Sequence, residues 1–329
     1  MKKSILVLSS LLFLSLGCFA KPKARQIALF IPGICDNSPT YAMLKAGVEE
    51  SVAEYNAAGE QQVKLFVMEA GTNQAEWGNQ LTALAAAGKY EVIISSNPSI
   101  PDLALPILKK FKKQKFVILD ATCAGNPNIR TVSYNQAEQA YLSGYAGALN
   151  SKSNKLALIA AQEYPVMNNV ILPNFEKGAK AANAASTVEF RVVGNWYDAT
   201  KGAELTEAVA KKGVDVILPI CGGASQGVIS SSIANKIKIT WFDDDGFAKA
   251  PGTVVSSTTM EQVRLSKEMT TEYLEGKTPW GQADTVGVKE GYVRFVDDNP
   301  LYVSTVSEAN RNKLKKLVDD IKAGNVTIK

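Results

Sequence analysis

The chain has 329 residues, with 36 basic and 32 acidic side chains, a net charge of +4 and no histidine. Such a near-balance of charge argues against a nucleic-acid partner. The missing histidine removes the commonest general base, the Ser-His-Asp triad and most zinc sites together.

At the N-terminus Lys2 and Lys3 precede an apolar run from Ile5 to Leu16, broken by Ser9, Ser10 and Ser15. The run is too short to span a bilayer, so residues 1–17 read as a signal peptide and not as a transmembrane helix. Leu14-Ser15-Leu16-Gly17-Cys18 has the pattern of a relaxed bacterial lipobox. Cys18 is therefore expected to be lipidated, with 18–25 as a tether to the membrane; a plain cleaved signal is the alternative. This places the mature chain on the periplasmic side of the cell envelope. Roughly 310 residues remain, more than one core usually absorbs, which predicts two domains. Cys35, Cys123 and Cys221 are too few and too widely spaced for a disulfide framework, although one pairing stays open.

From Gln26 onward short apolar runs alternate with helical patterns. Strands are expected at Ile27–Pro32, Val63–Glu69, Glu91–Ser96, Lys115–Asp120, Lys155–Ala160, Val188–Val193, Val214–Ile220 and Lys236–Phe242. Several are apolar at nearly every position, the mark of a parallel strand covered on both faces. Ser38 before Pro39 looks like a helix start. Asn73 with Glu76, Thr259 with Gln262 and Thr305 with Glu308 have capping-box spacing. The repeated β-then-α order means an α/β fold, and its restart at Lys155 predicts two doubly wound parallel-sheet lobes. The polar stretch Asn150–Asn154 reads as the first passage between them, with Asp244–Gly252 and Pro279–Asp284 as two more. Lobe one then comprises 26–150 plus 246–280, and lobe two 151–245 plus 281–329.

In such sheets ligands sit beyond the carboxyl ends of the strands. Those ends carry Asp36, Asn97, Asp120, Tyr164, Trp196, Gly222 and Asp243, with Tyr41 just inside the first helix. Asp36 either accepts from a ligand or caps that helix. Asp120 ends an apolar strand and needs a partner, from ligand or loop. Asp243 is the member of Asp243-Asp244-Asp245 closest to its strand; the other two read as a solvated turn. Tyr41, Tyr164 and Trp196 are candidates for stacking on a flat ligand, against a plain role in core filling. Gly222-Gly223 offers backbone N–H groups at a helix start. The spacing from Gly222 to Gly227 resembles a phosphate-binding loop, but Val228-Ile229 stands where that loop needs Lys and Ser or Thr, so the reading is rejected. Cys123 and Cys221 read as inert fillers.

An ordered set of segments resembles the basic membrane protein family, the PnrA-like solute-binding lipoproteins of ABC importers. It runs through Ile118-Leu119-Asp120, Val132-Ser133-Tyr134, Glu138 to Tyr145, Phe175-Glu176-Lys177-Gly178, Trp196-Tyr197-Asp198, Gly213 to Ile217, Gly222-Gly223 and Trp241-Phe242-Asp243. The resemblance implies a type I periplasmic-binding fold, a non-enzymatic monomer, and delivery of ligand to a permease and its ATPase. Two departures bear on the ligand. Asp36-Asn37-Ser38-Pro39-Thr40-Tyr41 replaces the family's Asp-Lys-Ser-Phe-Asn. Met260 stands where purine-nucleoside binders carry a lysine thought to hold ribose hydroxyls, and a thioether cannot donate a hydrogen bond. Closest is the family's riboflavin-binding branch, which makes riboflavin the expected cargo, with no cofactor beyond it. A purine-nucleoside receptor is the alternative, and an exported hydrolase using Asp36 and Asp243 a remote one.

Overall fold

The computed structural model describes residues 24–59 and 62–328. The expected signal peptide and Cys18 lie outside the described residues. The uniformly apolar runs form strands, as continuous burial requires: Ile27 to Ile31, Phe116 to Leu119 and Leu156 to Ala160 are fully buried. Each Val, Leu, Ile or Phe side chain among them contributes about 1.5–3 kcal/mol when withdrawn from water.

The first unit runs β1 (Arg25–Ile31), α1 (Pro39–Ala58), β2 (Val63–Glu69), α2 (Gln74–Ala86), β3 (Val92–Ser96), α3 (Ile100–Lys110), β4 (Lys115–Leu119) and β5 (Ile129–Tyr134). Ser38 caps α1, its Oγ accepting from the Tyr41 N–H at 3.4 Å, and Pro39 fills the first turn. The second unit runs α4 (Gln136–Asn150), β6 (Lys155–Ala160), α5 (Leu172–Ala182), β7 (Thr187–Val192), α6 (Ala199–Ala210), β8 (Val216–Ile220), α7 (Ser225–Ala234), β9 (Lys238–Trp241) and β10 (Val254–Met260). There follow α8 (Gln262–Leu274), β11 (Ala283–Val286), β12 (Val293–Phe295), α9 (Pro300–Thr305) and α10 (Glu308–Lys322).

Two six-stranded sheets result, ordered β11-β5-β4-β3-β1-β2 and β12-β10-β9-β8-β6-β7. All pairings are parallel except β10 with β12. The two orders are copies of one doubly wound plan. Each reverses direction once, between β1 and β3 and between β6 and β8, and such a reversal opens a crevice at the strands' carboxyl ends.

The expected segment boundaries are corrected by strand pairing. β10, assigned to lobe one, pairs with β9 in the second sheet, and β11, assigned to lobe two, pairs with β5 in the first. The chain therefore passes between lobes at residues 134–136, 260–262 and 286–293. Asn150–Asn154 is polar for another reason: the Asp215 carboxylate accepts from Ser151 Oγ and from the N–H groups of Lys152 and Ser153. Asp244–Gly252 joins β9 to β10 within one sheet, pinned where Asp244 accepts from Trp241 Nε1 and pairs with Lys249. α8 returns to lobe one and packs on α1, with Ser51 Oγ 2.8 Å from Thr271 Oγ1. Two caps also differ. Thr259 lies inside β10, leaving Glu261 ahead of α8, and Thr305 ends α9, leaving Ser307 to cap α10. Cys35, Cys123 and Cys221 are free thiols.

Candidate functional site

The reversal points put Tyr41 and Asn97 on the first lobe, and Tyr164 and Gly222 on the second, at equivalent crevices. Asn97 is the best-anchored residue of the first wall. Its N–H donates to the Leu119 carbonyl at 3.2 Å, and its Oδ1 accepts from Ser99 N at 2.9 Å and Ser99 Oγ at 2.7 Å. With the amide so fixed, Nδ2 donates to the Tyr41 hydroxyl at 3.1 Å and orients the phenol. Burial pushes the Tyr41 hydroxyl well above its usual range, and the Asp120 and Tyr197 charges act in the same direction. Asp36 stands apart: it is exposed in the 3-10 turn Cys35–Asn37 and does not join this hydrogen-bond set.

On the second wall Tyr164 and Trp196 face each other, ring centroids 6.5 Å apart and tilted by 38°. Behind the indole lies Gly222 at φ +56°, where a Cβ would meet the Trp196 carbonyl oxygen at 3.1 Å and Cε3 at 3.2 Å. Only glycine accepts both the left-handed backbone and the ring. The next N–H after Gly222-Gly223, that of Ala224, is spent within the protein, donating to the Trp196 carbonyl at 3.1 Å.

Asp120 and Asp243 occupy matching positions, one residue past β4 and two past β9. Both adopt left-handed backbone, φ 51° and 74°, which aspartate tolerates better than most residues. Each carboxyl accepts from a glutamine on α4: Gln136 Nε2 reaches Asp120 Oδ1 at 2.8 Å, and Gln139 Nε2 reaches Asp243 Oδ1 at 3.2 Å. Both acids keep some solvent access along the cleft but are walled in by protein. Burial, then the facing Asp243, pushes Asp120 up to about 8; burial, then Asp244, pushes Asp243 up to about 7. The Tyr164 hydroxyl is raised by burial and by both acids. Acids, amides and aromatic rings therefore converge from both lobes, and no lysine or arginine belongs to the set.

Sequence reasoning missed three participants. Gln139 was absorbed into a family segment and Gln136 lies just ahead of it; their signal is a polar cluster opening an otherwise small and apolar helix. Tyr197, half exposed in the loop between β7 and α6, stands beside the glycine pair, its Cδ1 3.5 Å from where a Cβ on Gly223 would lie. Met260 is buried in the apolar core, with its N–H donating to the Asp243 carbonyl at 3.1 Å.

Comparison with known proteins decides the family. A match to ABC transporter substrate-binding proteins of the PnrA-like type extends over residues 24–327. The chain belongs to that family. PnrA-like relatives include the ABC transporter nucleoside-binding protein BmpA of Lactococcus lactis, 27% identical over 73% of this chain and 71% of that protein. Basic membrane protein A of Borreliella burgdorferi is 24% identical over 95% of this chain and 92% of that one. Among solved structures, an ABC transporter solute-binding protein from Aeropyrum pernix superposes with a TM-score of 0.75 at 17% identity, covering 92% of each chain. A solute-binding protein from Agrobacterium radiobacter in complex with D-arabinose gives 0.64 at 14% identity, covering 89% of this chain and 99% of that one. These likenesses establish the type I periplasmic-binding fold. The PnrA-like chain is thus a solute-binding component of an ABC transporter.

Proposed function

We propose that this solute-binding protein captures riboflavin between its lobes and hands it to a membrane permease. The observation that carries the reading is the Tyr164–Trp196 pair backed by Gly222, opposite Tyr41 on the other wall. A flat tricyclic ring suits two aromatic surfaces, and its apolar area supplies most of the affinity. Buried Met260 offers no donor for a sugar hydroxyl. Asp120, Asp243 and Asn97 supply acceptors and an amide for the ring imide or the ribityl hydroxyls, which sets orientation more than affinity. With no basic side chain in the set, a phosphorylated flavin would bring its charge to a site holding two carboxyls, so the unphosphorylated vitamin is favoured. Asp36, exposed outside this arrangement, is given no part in it. The purine-nucleoside reading is favoured by one specific observation, the similarity to a nucleoside-binding relative. Calorimetry on unfolded-and-refolded, ligand-free protein with riboflavin, inosine and guanosine in parallel separates the two. Riboflavin binding with weak or absent nucleoside heats is expected; tight nucleoside binding without a riboflavin signal overturns the assignment.

Membrane attachment through a diacylated Cys18 is part of the same proposal and rests on Leu14-Ser15-Leu16-Gly17-Cys18. Cys18→Ala is expected to leave the protein in the soluble fraction. Retention with the membranes contradicts the anchor.

A further inference from the structure

The first turn of α4 touches more of the molecule than its length suggests. Asn135 accepts from Glu138 N and donates its own N–H to the Val286 carbonyl at 2.8 Å, tying the first passage to the third. Glu138 Oε2 accepts from Val288 N at 2.7 Å on that third passage. Between these hinge contacts stand Gln136 and Gln139, one turn apart on the helix. Gln139 is fully buried and bonds only within lobe two, to Asp243 and, at 3.4 Å, to the Thr258 carbonyl. Gln136 is different, because its acceptor Asp120 ends β4 in the other lobe.

α4 itself belongs to lobe two. Its backbone touches that of α5: a Cβ on Gly144 would lie 2.0 Å from the Phe175 carbonyl oxygen, and one on Gly178 2.0 Å from that of Tyr141. Two helices in such contact move as one body. Rotation of the lobes about the three passages therefore leaves Gln139–Asp243 intact and pulls Gln136 away from Asp120.

We propose that Gln136 is a closure latch, made across the cleft when the lobes shut and broken when they part, while Gln139 is its fixed counterpart that orients Asp243 in both arrangements. With Gln136 Nε2 donating to Asp120 Oδ1 at 2.8 Å, the other end of the amide, Gln136 Oε1, is buried without a protein partner, as is Gln139 Oε1. An unpaired buried amide oxygen is costly. A bound solute that donates to it relieves that cost in the closed arrangement only, so capture favours the latched state. Gln136 is thus a positioning residue for closure, separate from the aromatic surfaces that hold the ring.

The inference rests on the two-lobe receptor reading and is tested with refolded, ligand-free protein and riboflavin as probe. For Gln136→Leu the dissociation rate constant is expected to rise about tenfold while association changes by less than about twofold, the size of one buried hydrogen bond lost after encounter. The scattering radius at saturating riboflavin should remain between the ligand-free and closed wild-type values. Gln136→Glu, which keeps the shape and sets carboxyl against carboxyl, should do the same. Gln139→Leu should weaken binding yet close to the wild-type radius. Wild-type closure and wild-type dissociation in both Gln136 variants overturn the latch. If riboflavin and inosine both fail to bind the wild type, the ligand reading fails by itself. The latch is then read without ligand, from distances between labels introduced at Lys89 and Lys211, exposed on opposite lobes. A shift to longer distances in Gln136→Leu supports it, and superimposable distributions overturn it.

Discussion

The two walls of the cleft share one strand order and carry unlike chemistry. Lobe one presents a phenol steered by Asn97 and a carboxyl, Asp120, whose amide partner comes from the other lobe. Lobe two presents an aromatic pair seated on glycine and a carboxyl, Asp243, whose partner is its own. The second wall is complete before the lobes meet, and the first is completed by closure. A solute is therefore expected to land on lobe two and to be enclosed by lobe one, which is how a hinged receptor separates encounter from retention.

The sharpest way to break this contrast is to remove one residue from each wall. Trp196→Ala should weaken riboflavin binding by about 1–3 kcal/mol, a tenfold to hundredfold loss. Tyr41→Phe removes one hydrogen bond and keeps the ring, so about 1 kcal/mol, roughly fivefold, is expected. Calorimetry on both variants checks the order, and losses of equal size would erase the division between a binding wall and an enclosing wall.

The acids sharpen the comparison through pH. Asp120 at about 8 and Asp243 at about 7 hold protons that the unfolded chain releases near 4. The folded state therefore binds more protons than the unfolded one across that window. Stability is greatest at its acidic end and falls as pH rises toward 8. The ligand-free unfolding midpoint should drop by on the order of 5 °C between pH 6 and pH 8.5. Asp120→Asn, which cannot ionise, should flatten most of the upper part of that slope, and Asp243→Asn the lower part. A midpoint that rises over the same interval contradicts the burial assigned to the pair.

Smaller still is the effect of the seat beneath the indole. Gly222→Ala adds left-handed strain worth about 1 kcal/mol and presses on Trp196. Gly252, at φ +75° and with open space for 4 Å around where a Cβ would stand, is its control in the same lobe. Both substitutions should lower the midpoint by about 2–4 °C, but only Gly222→Ala should also lower affinity. Equal affinity in the two variants would separate the glycine from the site.

Much of this architecture was legible in the chain because eight strands carry apolar runs, several of them apolar nearly throughout. The four not anticipated have physical reasons to hide. β5 carries Arg130, buried through its ion pair with Asp284, and β10 is built around buried Ser256, Ser257 and Thr258. β11 and β12 have four and three residues. Since β10 and β11 join opposite sheets, overlooking them displaced the passages between lobes, and partnership between distant strands leaves no local mark. The site was legible where strand ends and aromatics coincide, as at Tyr164, Trp196 and Gly222. Asp36 had the same signature and lies exposed, because the turn that follows β1 carries it outward. Gln136 and Gln139 gave no comparable signal, since an amide at a helix start announces neither its lobe nor its acceptor.

The most direct measurement is the identity of the small molecule that travels with the protein. Protein purified without unfolding, then denatured to release its contents, can be read by absorbance and mass spectrometry beside a Trp196→Ala sample prepared in parallel. Riboflavin in the wild-type extract, much depleted from the variant, is the predicted result. A purine nucleoside in place of the flavin, retained equally by both, would contradict the account.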